Sequence, residues 1–358
     1  MNTILTTTGT SLLGNASKAL KKTAKELTDS DLIQFFKIAG PTAACAETNS
    51  LLKIATPDNE IVLLYTTTVD GERCAKEVKR YLKSNNWSNV RLRQLPLEQN
   101  EAQFERSGLR ALVNILVEEI EKAQRHQKVA IINATGGFKA EIAYTTMVGM
   151  VFQVPVKYIY QDFEKPVTFP SLPINWNIDL FLEYDWFFDW IDAECRKQSE
   201  VAQRLKGIDK KDQEKILQFL LPPDADDEVF FSPAGEILWK RLHSQRVLAE
   251  SVEDPPSSTI PIEDRIATVL RCSAHHYPIG TLEFTKKVAA LNPVEEIISN
   301  HFENTTLRRV KKADEDGVIK VLWADDEKAV NLIIRTTARG QAQTLRFCDH
   351  YLRPLLNS

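Results

Sequence analysis

VAIINATGGFKAE, residues 129–141, is the stretch from which the first half of the chain is read. Val129–Ile132 is a short apolar run of the kind shown by a strand buried on both faces. It gives way at Asn133 to Thr135-Gly136-Gly137, and a helical pattern starts at Lys139. In an open α/β sheet, ligands sit where strands end and helices begin. Glycines there let backbone N–H groups approach an anion, and a helix N-terminus adds its dipole. Lys139 supplies a cation at that mouth. A tight strand-to-helix turn that needs glycine for backbone reasons alone is the plain alternative.

The flanking sequence repeats the theme. Asn2–Thr8 reads as a strand rich in β-branched residues and runs into a second such turn, Gly9-Thr10-Ser11-Leu12. Helices are expected over Ser17–Leu27 and Asp31–Ala39, then a strand over Glu60–Thr66 and a helix over Gly71–Leu82. A strand over Val90–Leu95, a helix over Ser107–Ala123 and a final strand over Val156–Tyr160 complete the series. Strands alternating with helices of this length indicate βαβ units and a mostly parallel, Rossmann-like sheet. Both glycine turns then fall on its carboxyl edge. Neither fits the G-x-G-x-x-G dinucleotide fingerprint or the phosphate loop ending in Gly-Lys-Ser/Thr. Hydroxyls, glycine backbone and one lysine still suit a phosphate-bearing ligand.

Composition narrows the class. The 358 residues are 43% hydrophobic and 26% charged, ordinary for globular protein, and suggest two or three domains. A net charge of −4 argues against a chain that coats nucleic acid along its whole surface, though not against a local basic region. Cys45, Cys74, Cys195, Cys272 and Cys348 are scattered and unpaired in spacing, which fits a reducing cytoplasm and offers no zinc site. Without a signal peptide or a long apolar run, the chain is expected to be cytoplasmic, with no membrane partner.

The segments TTTGTSLLGN, CAETNSLLKI, EIVLLYTTTVDGERCA, NATGGFKAEIAY and VPVKYIYQDF resemble, in order, a CRISPR-associated CARF domain of the APE2256-like group. The resemblance covers roughly residues 1–175. It implies a Rossmann-like sensor domain that forms a homodimer and binds a cyclic oligoadenylate, most often cyclic tetra-adenylate, as allosteric activator. The family's ligand-contacting turns fall on Gly9, Thr10 and Ser11 and on Thr135, Gly136, Gly137, Phe138 and Lys139, with Glu47 and Asn49 as further candidates. Glu47 and Asn49 could equally cap a helix continuing through Leu51. The resemblance also allows ring opening, with Ser11 positioning a ribose 2′-hydroxyl and Lys139 stabilising charge on phosphorus.

Residues 176–262 read as a helical connector, either a small winged helix or a spacer. Its aromatics, Trp176 through Trp190, suit core packing better than a base-stacking platform, and the basic run Lys206–Lys211 suits a solvated face. Ser232-Pro233 marks a helix start running through Leu242. Asp254-Pro255-Pro256 is a linker signal.

Residues 263–358 read as a small α+β domain: helices over Glu263–Leu270, Gly280–Leu291 and Pro293–Phe302, strands over Thr305–Lys311, Val318–Ala324 and Ala329–Thr336, then a helix over Thr344–Leu356. Cations gather on the strands, and cations that hold a scissile phosphate let RNA's own 2′-hydroxyl act as nucleophile. TTLRRVK, GVIKVLWADDEKAVNLIIRTTAR and the terminal helix resemble the RelE-type toxin fold. That resemblance implies a metal-independent endoribonuclease acting on mRNA at the ribosome, with no cofactor. It places catalytic cations at Arg308, Arg309, Lys311, Lys320 and Arg339, and an acid/base candidate at His350. Arg271 and His276 supply the R-x4-H spacing of a HEPN ribonuclease as an alternative. A transcription regulator with a DNA-reading helix in the connector, or a stand-alone ring nuclease, are further alternatives.

Overall fold

The computed structural model describes residues 1–97, 103–160, 163–170 and 176–357. The chain divides into two units, Met1–Trp176 with Phe219–Pro222 and Phe230–Ile237, and Asn177–Gln218 with Pro223–Val229 and Leu238–Ser358.

In the first unit the described elements run β1 (Asn2–Thr8), α1 (Ser11–Leu20), α2 (Asp29–Ala44), α3 (Ala46–Ile54), β2 (Glu60–Thr66), α4 (Val69–Ser84) and β3 (Val90–Leu95). They continue with α5 (Leu109–Arg125), β4 (Val129–Asn133), α6 (Lys139–Val151), β5 (Val156–Tyr158) and β6 (Val167–Phe169). The sheet order is β3-β2-β1-β4-β5-β6, parallel except for β6. Successive residues Ile4 and Leu5, and all of Ile61–Leu64, are buried, as strands covered on both faces require. The order reverses between β1 and β4, which lie side by side with Thr6 opposite Asn133. Such a reversal leaves a crevice at the carboxyl ends of the two strands.

Of the helices whose starts differ from expectation, the first two show the cause. The first covers Ser11–Leu20, not Ser17–Leu27, because β1 feeds the helix through a turn of two residues and Lys21, in the left-handed region at φ 52°, stops it. The second opens two residues early with a capping box between Thr28 and Asp31, and runs to Ala44 across a break at Gly40 (φ 73°) and Pro41.

The second unit holds α7 (Asp179–Glu183), α8 (Asp185–Ala193), β7 (Arg196–Lys197), α9 (Gln198–Arg204), α10 (Lys210–Leu217) and β8 (Glu228–Val229), with β7 and β8 paired antiparallel. Helix α11 (Pro233–Ser251) starts as expected, with Ser232 Oγ accepting from Gly235 N, but runs well past Leu242. Phe181, Tyr184, Phe187 and Phe188 are fully buried, as is Trp239, so this part of the aromatic stretch is core, while Trp186 is exposed and Trp176 and Trp190 are half-buried. Beyond lie α12 (Thr268–Cys272), α13 (Thr281–Ala289), β9 (Val294–Glu303), β10 (Arg309–Ala313), β11 (Val318–Ala324), β12 (Ala329–Thr336), α14 (Gly340–Phe347) and α15 (Arg353–Leu356). The four strands form an antiparallel sheet in the order β10-β11-β12-β9.

One expectation is reversed here. The segment Pro293–Phe302, expected to be a helix, instead belongs to the strand β9, Val294–Glu303. Its pairing with β12 shifts register twice, near Val330 and at Arg335, so the strand loses the clean alternation by which it would have been recognised. The HEPN arrangement is absent too: Arg271 ends the five-residue α12, and His276 sits in a separate single turn, so the two do not share a long helix.

Candidate ligand site at the strand crossover

The crevice is built from the ends of β1 and β4 and the helices that follow them. Gly9 and Gly137 come so close that a Cβ on Gly9 would lie 3.3 Å from Gly137 N. A Cβ on Gly136 would meet Thr7 O at 2.8 Å, and Thr7 Oγ1 donates to the Gly136 carbonyl, locking the two turns together. Gly137 adopts φ +98°, which a larger residue would hold only with strain. The two turns recognised in the sequence are therefore one structural feature, and at Gly136 and Gly137 it has no room for a side chain.

Glu47, in the first turn of α3, lies beneath this junction. Its carboxylate accepts from Gly9 N at 2.8 Å and from Ser11 Oγ at 3.2 Å. Ala46 N donates to Ser11 Oγ at 3.2 Å. Glu47 is 1% exposed, so it supports the turn from below and does not face a ligand directly. Burial raises its carboxyl above the usual range, and the donors from Gly9, its own N–H, Cys45 and Ser11 oppose that rise.

Beside Ser11 opens a cleft of about 440 Å³, lined among others by Asn15, Asn49, Thr135, Tyr158 and Tyr160. Lys139 and Phe138 begin α6 and are both exposed; Phe138 packs edge-on against Phe104 at 6.0 Å. Thr10 is exposed ahead of α1. Glu141, one turn into α6, accepts from Phe138 N at 3.2 Å. Burial pushes its carboxyl up to about 7. Sequence reading passed over Asn15, Asn133 and Glu141, the last although an acid three residues past a helix start is a capping signal.

The cations of the second unit do not gather in one place. Arg309 and Lys311 are engaged: Arg309 Nε donates to Glu183 at 2.7 Å, and Lys311 Nζ to Glu303 at 2.7 Å. Arg308 lies 3.9 Å above the Trp323 ring and donates to the Ala324 carbonyl at the end of β11. Arg339 follows β12, where Arg335 pairs with Val318 at the start of β11. By strand rise that puts Arg308 and Arg339 about 20 Å apart along the sheet. Lys320 is exposed mid-strand opposite Lys312. His350 contacts Glu250 at 3.0 Å, and Tyr351 donates to Asp254 at 2.7 Å. The five cations expected to be catalytic are thus sorted into two held in ion pairs, Arg309 and Lys311, one stacked on tryptophan, Arg308, and two at the surface, Lys320 and Arg339. Among the described residues, no group of three His, Cys, Asp or Glu side chains is placed to hold a metal ion, and no helix is long and apolar enough to cross a membrane.

A family model described as CRISPR-associated protein (Cas_APE2256) matches residues 42–172. That span includes α3, with Glu47 and Asn49, and the whole of the Thr135–Lys139 turn. Among solved structures, the chain is similar to Can2 from Sulfobacillus thermosulfidooxidans in complex with cyclic tetra-adenylate (cA4), at 12% identity and over 94% of this chain and 77% of that one. The TM-score is 0.25, which adds nothing to the fold described above. None of the curated proteins matches this chain.

Proposed function

We propose that the chain is an ancillary effector of a type III CRISPR system, in which a homodimeric first unit binds cyclic tetra-adenylate and the second is a RelE-like endoribonuclease. The observation that carries this reading is the joining of the two glycine turns at the sheet crossover, the second of which, Thr135–Lys139, lies within the span matched by a CRISPR-associated family model. Two helix N-termini brought together at the crossover, with exposed Lys139 beside them, suit the phosphates of a cyclic ligand. Ligand binding drives activation by favouring the active arrangement over the idle one.

For the nuclease, surface cations would neutralise the charge that builds on a phosphodiester as its own 2′-hydroxyl attacks, leaving a cyclic phosphate and a free 5′-hydroxyl. Lys320 and Arg339 are the candidates whose side chains are exposed and neither paired with a carboxylate nor stacked on a ring. Messenger RNA on the ribosome is the proposed substrate, and the chemistry asks for no metal and no cofactor.

The test is RNA cleavage by the full chain, with and without cyclic tetra-adenylate, on free RNA and on translating ribosomes. Cleavage that depends on the ligand is expected, strongest on ribosome-bound message. Binding without cleavage on either substrate would refute the nuclease half alone. The same samples report whether the ring is opened by Ser11 and Lys139.

A further inference from the structure

The connector presents acids to the terminal sheet. Asp179 and Glu183 lie one helical turn apart, so they share a face of α7. Glu183 reaches Arg309 at 2.7 Å and lies 3.7 Å from Lys311. Burial raises the Asp179 carboxyl, and Lys312 and Lys320, opposite each other on β10 and β11, oppose the rise. At the start of α10, burial works against the charge on Asp212. Lys215, Tyr184 and Lys311 outweigh it and bring that carboxyl below its usual range. Three carboxylates of the connector thus face four cations of the sheet.

Phe181, on the same helix, packs within the connector, its ring 4.2 Å from Phe188 and 6.3 Å from Trp239. Aromatic packing therefore ties α7 to the connector, and charge ties it to the sheet. Polar seams of this kind within a chain part more readily than apolar ones. A cleft of about 530 Å³ opens along this seam, with Gly207 and Asp209 on the connector side and Asn304 and Thr305 on the sheet side. Arg309 lines it, and its Nη1 is buried without a hydrogen-bond partner. A phosphate takes two parallel donors from one guanidinium, so RNA would satisfy Arg309 better than Glu183 does.

We propose that the connector is an electrostatic cover: Asp179, Glu183 and Asp212 stand where phosphates of single-stranded RNA bind, along Arg309, Lys311, Lys312 and Lys320. Cover and RNA exclude each other, and cyclic tetra-adenylate acts by favouring the uncovered arrangement. The chain first leaves the first unit after Trp176 and forms α7 from Asp179, so this helix is the first element on which the sensor can pull. The proposal rests on the ribonuclease reading and adds how that activity is held in check.

Fluorescence anisotropy would measure binding of a labelled single-stranded RNA to the full chain, with and without cyclic tetra-adenylate. Its riboses carry 2′-O-methyl groups, so it cannot supply the attacking hydroxyl and is not consumed. Wild type should bind it more tightly with the cyclic ligand. Glu183→Gln keeps the shape and removes the charge, and without the cyclic ligand should bind the RNA about tenfold more tightly than wild type, the worth of one charge-assisted contact. Asp179→Asn, at a half-buried position, should shift binding the same way and decides alone if thermal melts show Glu183→Gln unfolded. Asp189→Asn, which removes an exposed charge from α8, controls for net charge and should bind as wild type does. Wild-type affinity in the folded cover variants, or an equal shift in Asp189→Asn, would overturn the proposal. Unmodified RNA run alongside separates the two readings: absence of cleavage in every sample removes the nuclease, whereas the binding shifts decide the cover.

Discussion

Glu183 accepts the Nε hydrogen of Arg309 at 2.7 Å, in a pair whose side chains are only 10% and 12% exposed. Tyr184 extends the group: its hydroxyl donates to Asp212 at 2.8 Å and accepts from Arg309 at 3.3 Å. Desolvation opposes the charge on Arg309, but Glu183, Tyr184 and Glu303 together raise its pKa above the usual range. Such a pair contributes little net stability when intact, yet removing one partner strands the other as a buried charge.

Glu183→Ala should therefore lower the stability of the protein by about 3–5 kcal/mol, whereas Glu183→Leu with Arg309→Met should cost far less. Urea denaturation of the two variants reads the difference directly. Equal losses would mean that the pair matters for its shape and not for its charge.

A pH dependence follows from Glu141. Its folded-state pKa of about 7 lies above the ordinary value of 4.5, so the protonated form is the one the fold prefers. The stabilisation is complete below about pH 4.5 and is lost as pH rises through 7. It amounts to about 3 kcal/mol at most, because each tenfold change in proton affinity is worth about 1.4 kcal/mol. Glu141→Gln keeps an acceptor for Phe138 N and removes the titration. Melting curves at pH 5 and pH 8 should show the wild type losing more stability than the variant over this range. Parallel losses would show that Glu141 does not titrate there.

The sheet of the first unit was legible because its strands are buried on both faces and bounded by turn residues: β1, β2 and β3 match their expected limits at both ends. The contact between the two glycine turns was foreseeable only as a shared edge, since the strand order that makes β1 and β4 neighbours is set by packing over long sequence distances. Nothing in the sequence around Glu47 shows that Gly9 and Ser11 fold over it, so locally it looks like a ligand contact or a helix cap. The C-terminal strands Val318–Ala324 and Ala329–Thr336 were equally plain, but β9 was hidden by register shifts. The grouping of cations failed for another reason: sequence shows which residues are basic, and not that Glu183 and Glu303 lie against two of them.

The glycines at the crossover separate backbone need from mere smallness. Gly137 has φ +98°, and a Cβ there would come within 2.2 Å of Glu141 Oε2, while Gly14 on α1 has nothing within 4 Å. Gly137→Ala should cost about 1–3 kcal/mol of stability through strain and weaken cyclic tetra-adenylate. Gly14→Ala should be neutral or stabilising by about 0.5–1 kcal/mol. Thermal melts and titrations on the pair test this, and a Gly137→Ala protein with unchanged melting and affinity would contradict the geometry.

Lys139 opens α6 at the mouth of the site and is exposed there. If it holds a ligand phosphate, Lys139→Ala should weaken cyclic tetra-adenylate about ten- to a hundredfold, the range for a charge-assisted hydrogen bond. The loss should shrink as salt is raised, because an exposed charge is screened. A salt-independent loss would point to altered folding of the turn, and no loss would move the phosphates away from α6.

Two surface cations are the ones proposed to serve RNA. Lys320 is exposed on β11, and Arg339 keeps its side chain at the surface, donating only to its neighbour's carbonyl at 3.0 Å. Neither truncation leaves a buried charge behind, so Lys320→Ala and Arg339→Ala should melt within about 0.5 kcal/mol of wild type. Under the proposed nuclease reading each should lower ligand-activated RNA cleavage by about a hundredfold or more, with cyclic tetra-adenylate affinity unchanged. Arg309→Ala should behave in the opposite way, losing stability first, because Glu183 would be left buried and unpaired. Single-turnover cleavage beside urea denaturation distinguishes the two classes. If Arg309→Ala remained stable while cleavage fell, and Lys320→Ala and Arg339→Ala cut at the wild-type rate, the phosphate-holding face would have to be moved to the Glu183 side of the sheet.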